Sequence, residues 1–223
     1  MSNARLDDHG SAVPTAGAVD DELDLAARLA RRGVAEREAE LAKEVRRLMR
    51  AAQQVFTRCG TRESPRLTDI IAEAGLSNDA FYRHFKSKDE LVTAIMEDGT
   101  ARFKRQVAER MQAVDDPAEK VRVWIRSMLG QAQDPELIES VRTVMWNAER
   151  TADDSTRRVG ARASLAQLLV EPVAALGSAD PARDAFAVCD AARGRLEHFM
   201  WRREVPTSAD VDHVVTFCLR AIG

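Results

Sequence analysis

Asn78, Asp79, Tyr82, Arg83 and His84 place an amide, a carboxylate, a phenol, a guanidinium and an imidazole within seven consecutive residues. At helical spacing these groups form a dense row of hydrogen-bond donors and acceptors, the kind of surface that reads base edges and phosphates. Nothing around them points to bond-making chemistry. His9, His84, His198 and His213 have no metal-ligand spacing to one another, and Glu197-His198 lacks the second histidine of a zinc-binding helix. The nucleophile-elbow pattern and both glycine-rich phosphate loops are absent. No catalytic residue, no metal site and no cofactor is therefore expected, and the sequence does not read as an enzyme.

That row of polar groups has to be held by something. Ser64-Pro65 reads as a helix start, with Ser64 as N-cap and Pro65 in the first turn, where its missing N–H is not needed. The helix is predicted to run to Ala74, and Gly75 to supply the left-handed residue of a tight turn. Ser77 is a second N-cap and opens a short helix through His84 or Phe85. Ser87 caps a third helix, with Glu90 at its third position as in a capping box. That helix continues through Leu91 and Ile95 beyond Phe103. Ile70, Ile71, Ala74, Leu76, Phe81 and Phe85 can share a small core. Such a core would set the second helix at a steep angle to the first and turn the polar row outward. This is the outline of a helix-turn-helix, and a major groove is wide enough to admit its second helix.

The local wording is more specific than the outline. Ala74-Gly75-Leu76-Ser77, then Phe81-Tyr82-Arg83-His84-Phe85, then Ser87-Lys88-Asp89-Glu90-Leu91 resembles the TetR family of bacterial transcriptional regulators, over about 25 residues of continuous spacing. The resemblance implies that the helix from Pro65 is the supporting helix and that residues 77–84 form the recognition helix. It implies that Thr68, Ser77, Asn78, Asp79, Tyr82, His84 and Lys88 lie at a DNA interface. Tyr82, His84 and Lys88 match phosphate-contacting positions, and Thr68 an outward position that reaches DNA. Asn78 matches a base-reading position, where an amide can pair with adenine N6 and N7. The resemblance further implies an all-α protein, with an N-terminal helix-turn-helix DNA-binding domain followed by a helical effector-binding and dimerisation domain. A homodimeric repressor follows, bound to a palindromic double-stranded operator and released by a small, largely apolar effector. Two residues depart from the family pattern. Arg66 stands where the family often has Thr, and Asp79 where Gly, Ala or Pro is common. A carboxylate is repelled by phosphates unless it accepts from cytosine N4 or caps its own helix. Asp79 therefore keeps open an alternative, a TetR-like ligand-binding or coactivator module that no longer binds DNA.

The rest of the chain reads as helix. Aromatic residues are scarce, and Ala/Leu/Glu/Arg-rich stretches dominate, which leans towards nine or ten helices and no strand. Residues 1–20 are expected to be a disordered tail, 21–100 a helical extension with the helix-turn-helix, and 101–223 the effector and dimerisation domain. Helical stretches at 21–32 and 35–59 flank Gly33, which leaves open one helix or two. Further helices are predicted at 117–131, 135–150, 155–176, 181–203 and 208–222. Asp116-Pro117, Asp134-Pro135 and Asp180-Pro181 each set a capping Asp before a helix-starting Pro.

Net charge is −3, yet Arg37 to Lys88 carry eleven basic against seven acidic residues. Arg46, Arg47 and Arg50 fit either a solvated helix face or a phosphate clamp, as do Arg28, Arg31 and Arg32. A ligand pocket is expected among Trp124, Met128, Met145, Trp146, Leu165 and Leu169, with Asn147, Arg150 or Arg195 as polar anchor, although a plain core fits these residues too. Phe186, Cys189, Arg193, Met200, Val211, Val215, Cys218 and Ile222 recur at helical spacing and face either a dimer partner or their own core. Cys59, Cys189 and Cys218 are widely spaced, which reads as reduced thiols in a cytoplasmic protein. No apolar run reaches membrane-span length and the first residues lack a signal-peptide core.

Overall fold

The computed structural model describes residues 16–148 and 155–222, with side chains from 24 to 148 and from 160 to 222. Among these residues the regular structure is helical throughout. In chain order the helices are α1 (Ala16–Cys59), α2 (Leu67–Ala74), α3 (Asn78–His84), α4 (Lys88–Gln112), α5 (Pro117–Gly130), α6 (Pro135–Ala148), α7 (Ser155–Ala175), α8 (Pro181–Arg202) and α9 (Ser208–Ile222), with a single 3-10 turn at Gln131–Gln133. The chain divides into two compact units between Val45 and Arg46.

The first unit holds the N-terminal part of α1. Gly33 does not break the helix, because its cost of about 1 kcal/mol against Ala is small for a helix this long. From residue 24 to 40 every side chain but the Gly33 position is exposed. Intrahelical ion pairs lace this surface: Arg28–Asp24 at 3.3 Å, Arg32–Glu36 at 2.8 Å and Lys43–Glu40 at 3.1 Å. The helix begins at Ala16, inside the segment expected to be a tail, and residues 1–15 lie outside the described residues.

In the second unit one face of α1 is buried, with Leu48, Ala52, Val55 and Phe56 nearly inaccessible. Gly60 takes φ 62° and its N–H donates to the Phe56 carbonyl at 2.8 Å, closing the helix. All three Asp-Pro starts are present. Asp116 accepts from the Glu119 N–H, Asp134 from those of Glu136 and Leu137, and Asp180 from that of Arg183, each within 3.1 Å. The carboxylate at each cap meets the positive end of the helix dipole.

The C-terminal helices share one hydrophobic core, with α5 packed against α4, α7, α8 and α9, and α7 lying along α8. This core settles the reading of the last two helices. Cys189, Val211, Val215, Cys218 and Ile222 are buried in it, and Met200 is 2% exposed, so these residues face their own subunit. Phe186 and Arg193 are half-buried. The apolar side chains left outward are Trp201, Val205 and Phe217. Periodicity marks an apolar stripe but does not say which neighbour covers it. No described helix is long and apolar enough to cross a membrane.

Candidate nucleic-acid interface

The site is assembled from two helices too short to be stable alone, α2 with eight residues and α3 with seven. Ile70, Ile71 and Ala74 on α2, and Ala80 and Phe81 on α3, are buried, as is Phe85 just beyond. Phe81 packs edge-to-face on Tyr82, with ring centroids 5.3 Å apart, and obliquely on Phe85 at 5.7 Å. Leu76 is half-buried. The predicted small core is therefore present, and it presents one face of α3 to solvent.

Local chemistry fixes the ends of both helices. Gly75 closes α2 at φ 60°, ψ 40°, its N–H bonded to the Ala72 carbonyl at 3.0 Å and the Leu76 N–H to that of Ile71 at 3.2 Å. This is the paired closure of a Schellman motif. The Ser77 hydroxyl accepts from the Ala80 N–H at 3.1 Å and caps α3. The Ser87 hydroxyl accepts from the Glu90 N–H at 3.1 Å, while the Glu90 carboxylate accepts from the Lys86 N–H at 2.6 Å. The start of α2 differs from expectation. Arg66, not Ser64, occupies the N-cap, makes no side-chain cap hydrogen bond, and leaves Pro65 outside the helix. Ser64 is diverted: its hydroxyl accepts from Lys88 Nζ at 2.8 Å, and Pro65 supplies its carbonyl to the same ammonium at 3.2 Å.

The expected DNA-facing residues fall into two groups. Thr68, Asn78, Asp79 and Tyr82 are exposed, with Tyr82 at 59%. Ser77 spends its hydroxyl on the cap, His84 is half-buried, and the half-buried Lys88 uses two of its three donors on the preceding loop. Asp79 sits in the first turn of α3, where a carboxylate is favoured by the helix dipole. That accounts for an acidic residue here without any contact to DNA.

Two arginines of α1 reach α2. Arg58 pairs with Glu73 at 2.7 Å, and that hydrogen bond and charge raise the guanidinium pKa above its usual value. Arg47 Nη2 donates to the carbonyls of Ala74 at 2.6 Å and Gly75 at 3.2 Å. Arg50 bonds the Arg46 carbonyl on its own helix. Neither long-range contact of α1 was legible in the sequence, because its partners lie more than a dozen positions away and one partner is backbone.

Residues 48–95 match the model described as bacterial regulatory proteins, tetR family. Over this segment the chain is similar to the TetR family. An uncharacterized HTH-type transcriptional regulator of Mycobacterium tuberculosis is 33% identical over 98 residues, 44% of this chain and 47% of that protein. The chain thus spans about half the length of the relatives it matches. Solved structures extend the likeness of fold beyond the matched segment. SmeT, the repressor of the Stenotrophomonas maltophilia multidrug efflux pump SmeDEF, aligns with TM-score 0.60 at 23% identity, over 79% of this chain and 89% of its own. FadR from Bacillus subtilis, in complex with stearoyl-CoA, aligns with TM-score 0.60 at 14% identity, over 79% and 96%. A transcriptional regulator from Rhodococcus aligns with TM-score 0.61 at 16% identity, over 80% and 95%.

Beyond the matched segment the expected effector residues lie mostly inside the core. Trp124 is fully buried with its indole N–H bonded to the Leu165 carbonyl at 3.2 Å, and Met128, Leu165 and Leu169 pack beside it. Asn147 is buried with its amide on the Thr143 carbonyl, Met145 and Trp146 are half-buried, and Arg150 lies outside the described residues. Arg195 stacks on Phe199 with its guanidinium carbon 4.8 Å from the ring centre. Open volume is found elsewhere. A groove of about 670 Å³ is lined by Glu97, Thr100, Lys104 and Arg105 of α4 and by Gly160, Ala161 and Ser164 of α7, among others. Among the described residues no cluster of three or more His, Cys, Asp or Glu could hold a metal ion.

Proposed function

We propose that this chain is a DNA-binding transcriptional regulator that reads a palindromic operator as a homodimer. The observation that carries this reading is α3: capped by Ser77, anchored by Phe81 and Phe85, and presenting Asn78, Asp79 and Tyr82 to solvent within a TetR-family domain. A helix so held fits a major groove, and a second copy doubles the length of sequence read. Phe217 of α9, 61% exposed beside a shallow groove lined by His213, Thr216 and Arg220, together with Trp201 of α8, supports a self-complementary face on the last two helices. Thr68, Asn78 and Tyr82 are the proposed contacts with free polar reach, and Lys88 has one donor left for a phosphate. The test is recovery of genomic DNA fragments on the purified protein, followed by inspection for a palindrome. Recovery of no preferred sequence at moderate salt would count decisively against it.

Repression relieved by a small, largely apolar effector is the proposed mode. SmeT is solved with triclosan and FadR with stearoyl-CoA, and such ligands suit a helical C-terminal domain of this kind. The groove on α4 and α7 admits a ligand without unpacking the core. The wall of Trp124, Met128, Met145 and Trp146, with Asn147 as anchor, serves a ligand only if that core opens. Calorimetry of a candidate effector with and without operator decides the mode, since an effector that releases DNA must be weakened by DNA to the same degree. Equal affinities would sink it. The reading without DNA binding rests on exposed Asp79 alone. A wild type that binds no DNA and an Asp79→Gly variant that binds well would establish it.

A further inference from the structure

Arg47 crosses from α1 to the turn of the helix-turn-helix, 27 and 28 positions away in sequence. A helix ends with unsatisfied carbonyls, and at the end of α2 two sets of donors meet such groups. The Ile71 and Ala72 carbonyls accept from turn N–H groups. The Ala74 and Gly75 carbonyls, beyond Glu73, accept from Arg47 Nη2 at 2.6 and 3.2 Å. The donor is cationic and the acceptors sit at the negative end of the α2 dipole, so both bonds are charge-assisted. Gly75 serves this contact as well as the turn. Its φ is +60°, and a Cβ built there would lie 3.1 Å from the same Nη2. Glycine thus supplies the left-handed backbone and leaves room for the guanidinium.

We propose that Arg47 is a positioning residue for operator reading. It holds the α2–α3 turn from outside the motif and so sets the angle at which α3 meets the groove, rather than pairing with a phosphate. The proposal rests on the DNA-binding reading above, but its first test needs no DNA. In the DNA-free full chain, Arg47→Ala speeds amide exchange at Gly75 and Leu76, whose N–H groups close the turn, while amides of α5 keep their protection. Arg47→Lys restores part of that protection and carries the same comparison if the Ala variant does not fold. Unchanged exchange at Gly75 and Leu76 in a folded variant overturns the proposal.

The second test uses an operator recovered by selection and a scrambled duplex of equal length. At a temperature where the variant is fully folded, Arg47→Ala is expected to lower operator affinity by about ten- to a hundredfold, the range spanned by loss of one hydrogen bond to a charged group. Affinity for the scrambled duplex and the salt dependence of both stay as in wild type. A residue that only adds stability would leave the ratio of operator to scrambled affinity unmoved. A phosphate contact would weaken both duplexes and flatten the salt slope by about 0.9 for each subunit bound. Either result overturns the proposal. A wild type without sequence preference would refute the DNA reading itself and leave the exchange comparison to judge the turn.

Discussion

Lys88 offers the sharpest test of the proposed phosphate contacts. Its ammonium has three donors, of which one holds Ser64 Oγ at 2.8 Å and another the Pro65 carbonyl at 3.2 Å. One donor remains for DNA, and the charge itself stands at the first turn of α4, adding to the positive end of that helix dipole. Replacing Lys88 by Ala therefore does two separable things. It frees the loop before α2, which weakens operator binding at every salt concentration. It also removes one counterion-releasing contact, which changes the slope of log affinity against log salt by about 0.9 per subunit, or about 1.8 for a dimer. Between 50 and 200 mM salt that slope difference corresponds to roughly a twelvefold smaller loss of affinity for the variant. Ser64→Ala is the control, since it loosens the same loop and keeps the charge. Fluorescence anisotropy on a labelled operator across that salt range measures both effects. The expected outcome is a flatter slope for Lys88→Ala and a parallel, displaced line for Ser64→Ala. Parallel lines for both would refute the reasoning and leave Lys88 with the loop alone.

Phe81→Ala removes a fully buried ring in contact with Tyr82 and Phe85, and about 3–5 kcal/mol of stability should go with it; urea unfolding checks this, and a loss under 1 kcal/mol would mean that the small core does not set α3. Burial pushes the thiols of Cys189 and Cys218 up to about 11, so at pH 7 only about one in ten thousand of each is thiolate. A thiol reagent should label half-buried Cys59 in the native protein and the other two only on unfolding, and equal labelling rates would contradict the packing. Hydrogen bonds from the Thr207 hydroxyl and N–H hold the Asp210 carboxyl below its usual range at the start of α9. A depressed folded pKa gives stability that is present above the unfolded value of about 3.9 and lost as pH falls through the folded one. Asp210→Asn should therefore be less stable than wild type at neutral pH, with the gap closing in acid; a gap that widened on acidification would refute the assignment.

What the sequence made legible was local. Helix ends written in neighbouring residues were predictable: Ser77 and Ser87 cap within three positions, Gly75 closes the helix before it, and three aspartates precede three prolines. Ser64-Pro65 carried the same local signal and yet is no helix start. Lys88, 24 positions on, takes the Ser64 hydroxyl, and α2 begins at Leu67 without a side-chain cap. Local propensity lost there to a tertiary hydrogen bond that no window of sequence contains. The apolar stripes of α8 and α9 were equally visible, but a stripe has no address: Val215 and Cys218 fit a partner's face or their own core until α5 is seen packed against α9. The candidate pocket failed to stand open for the related reason that large apolar side chains which could line a cavity also fill one, as Trp124 does.

The same distinction bears on how a distant ligand could govern the reading head. Helix α2 and its flanking loops are held by donors from other helices: Arg47 and Arg58 from α1 at the end of α2, and Lys88 from α4 at the loop before it. A third tie comes from α6, where buried Arg142, paired with Glu139, donates to the Thr61 hydroxyl at 3.4 Å in the link between α1 and α2. Helix α4 therefore carries Lys88 at one end and Glu97, Thr100, Lys104 and Arg105 on the groove wall further along. A shift of α4 against α7 would move the ammonium away from Ser64 and Pro65, and so release the start of α2. A ligand drives that shift only as far as it binds the displaced arrangement more tightly, because equal affinity for both arrangements moves nothing. On the proposed reading the motif supplies the surface that meets DNA, while its angle is held by residues that sequence patterns assign to other helices, and a regulating ligand would act through those residues.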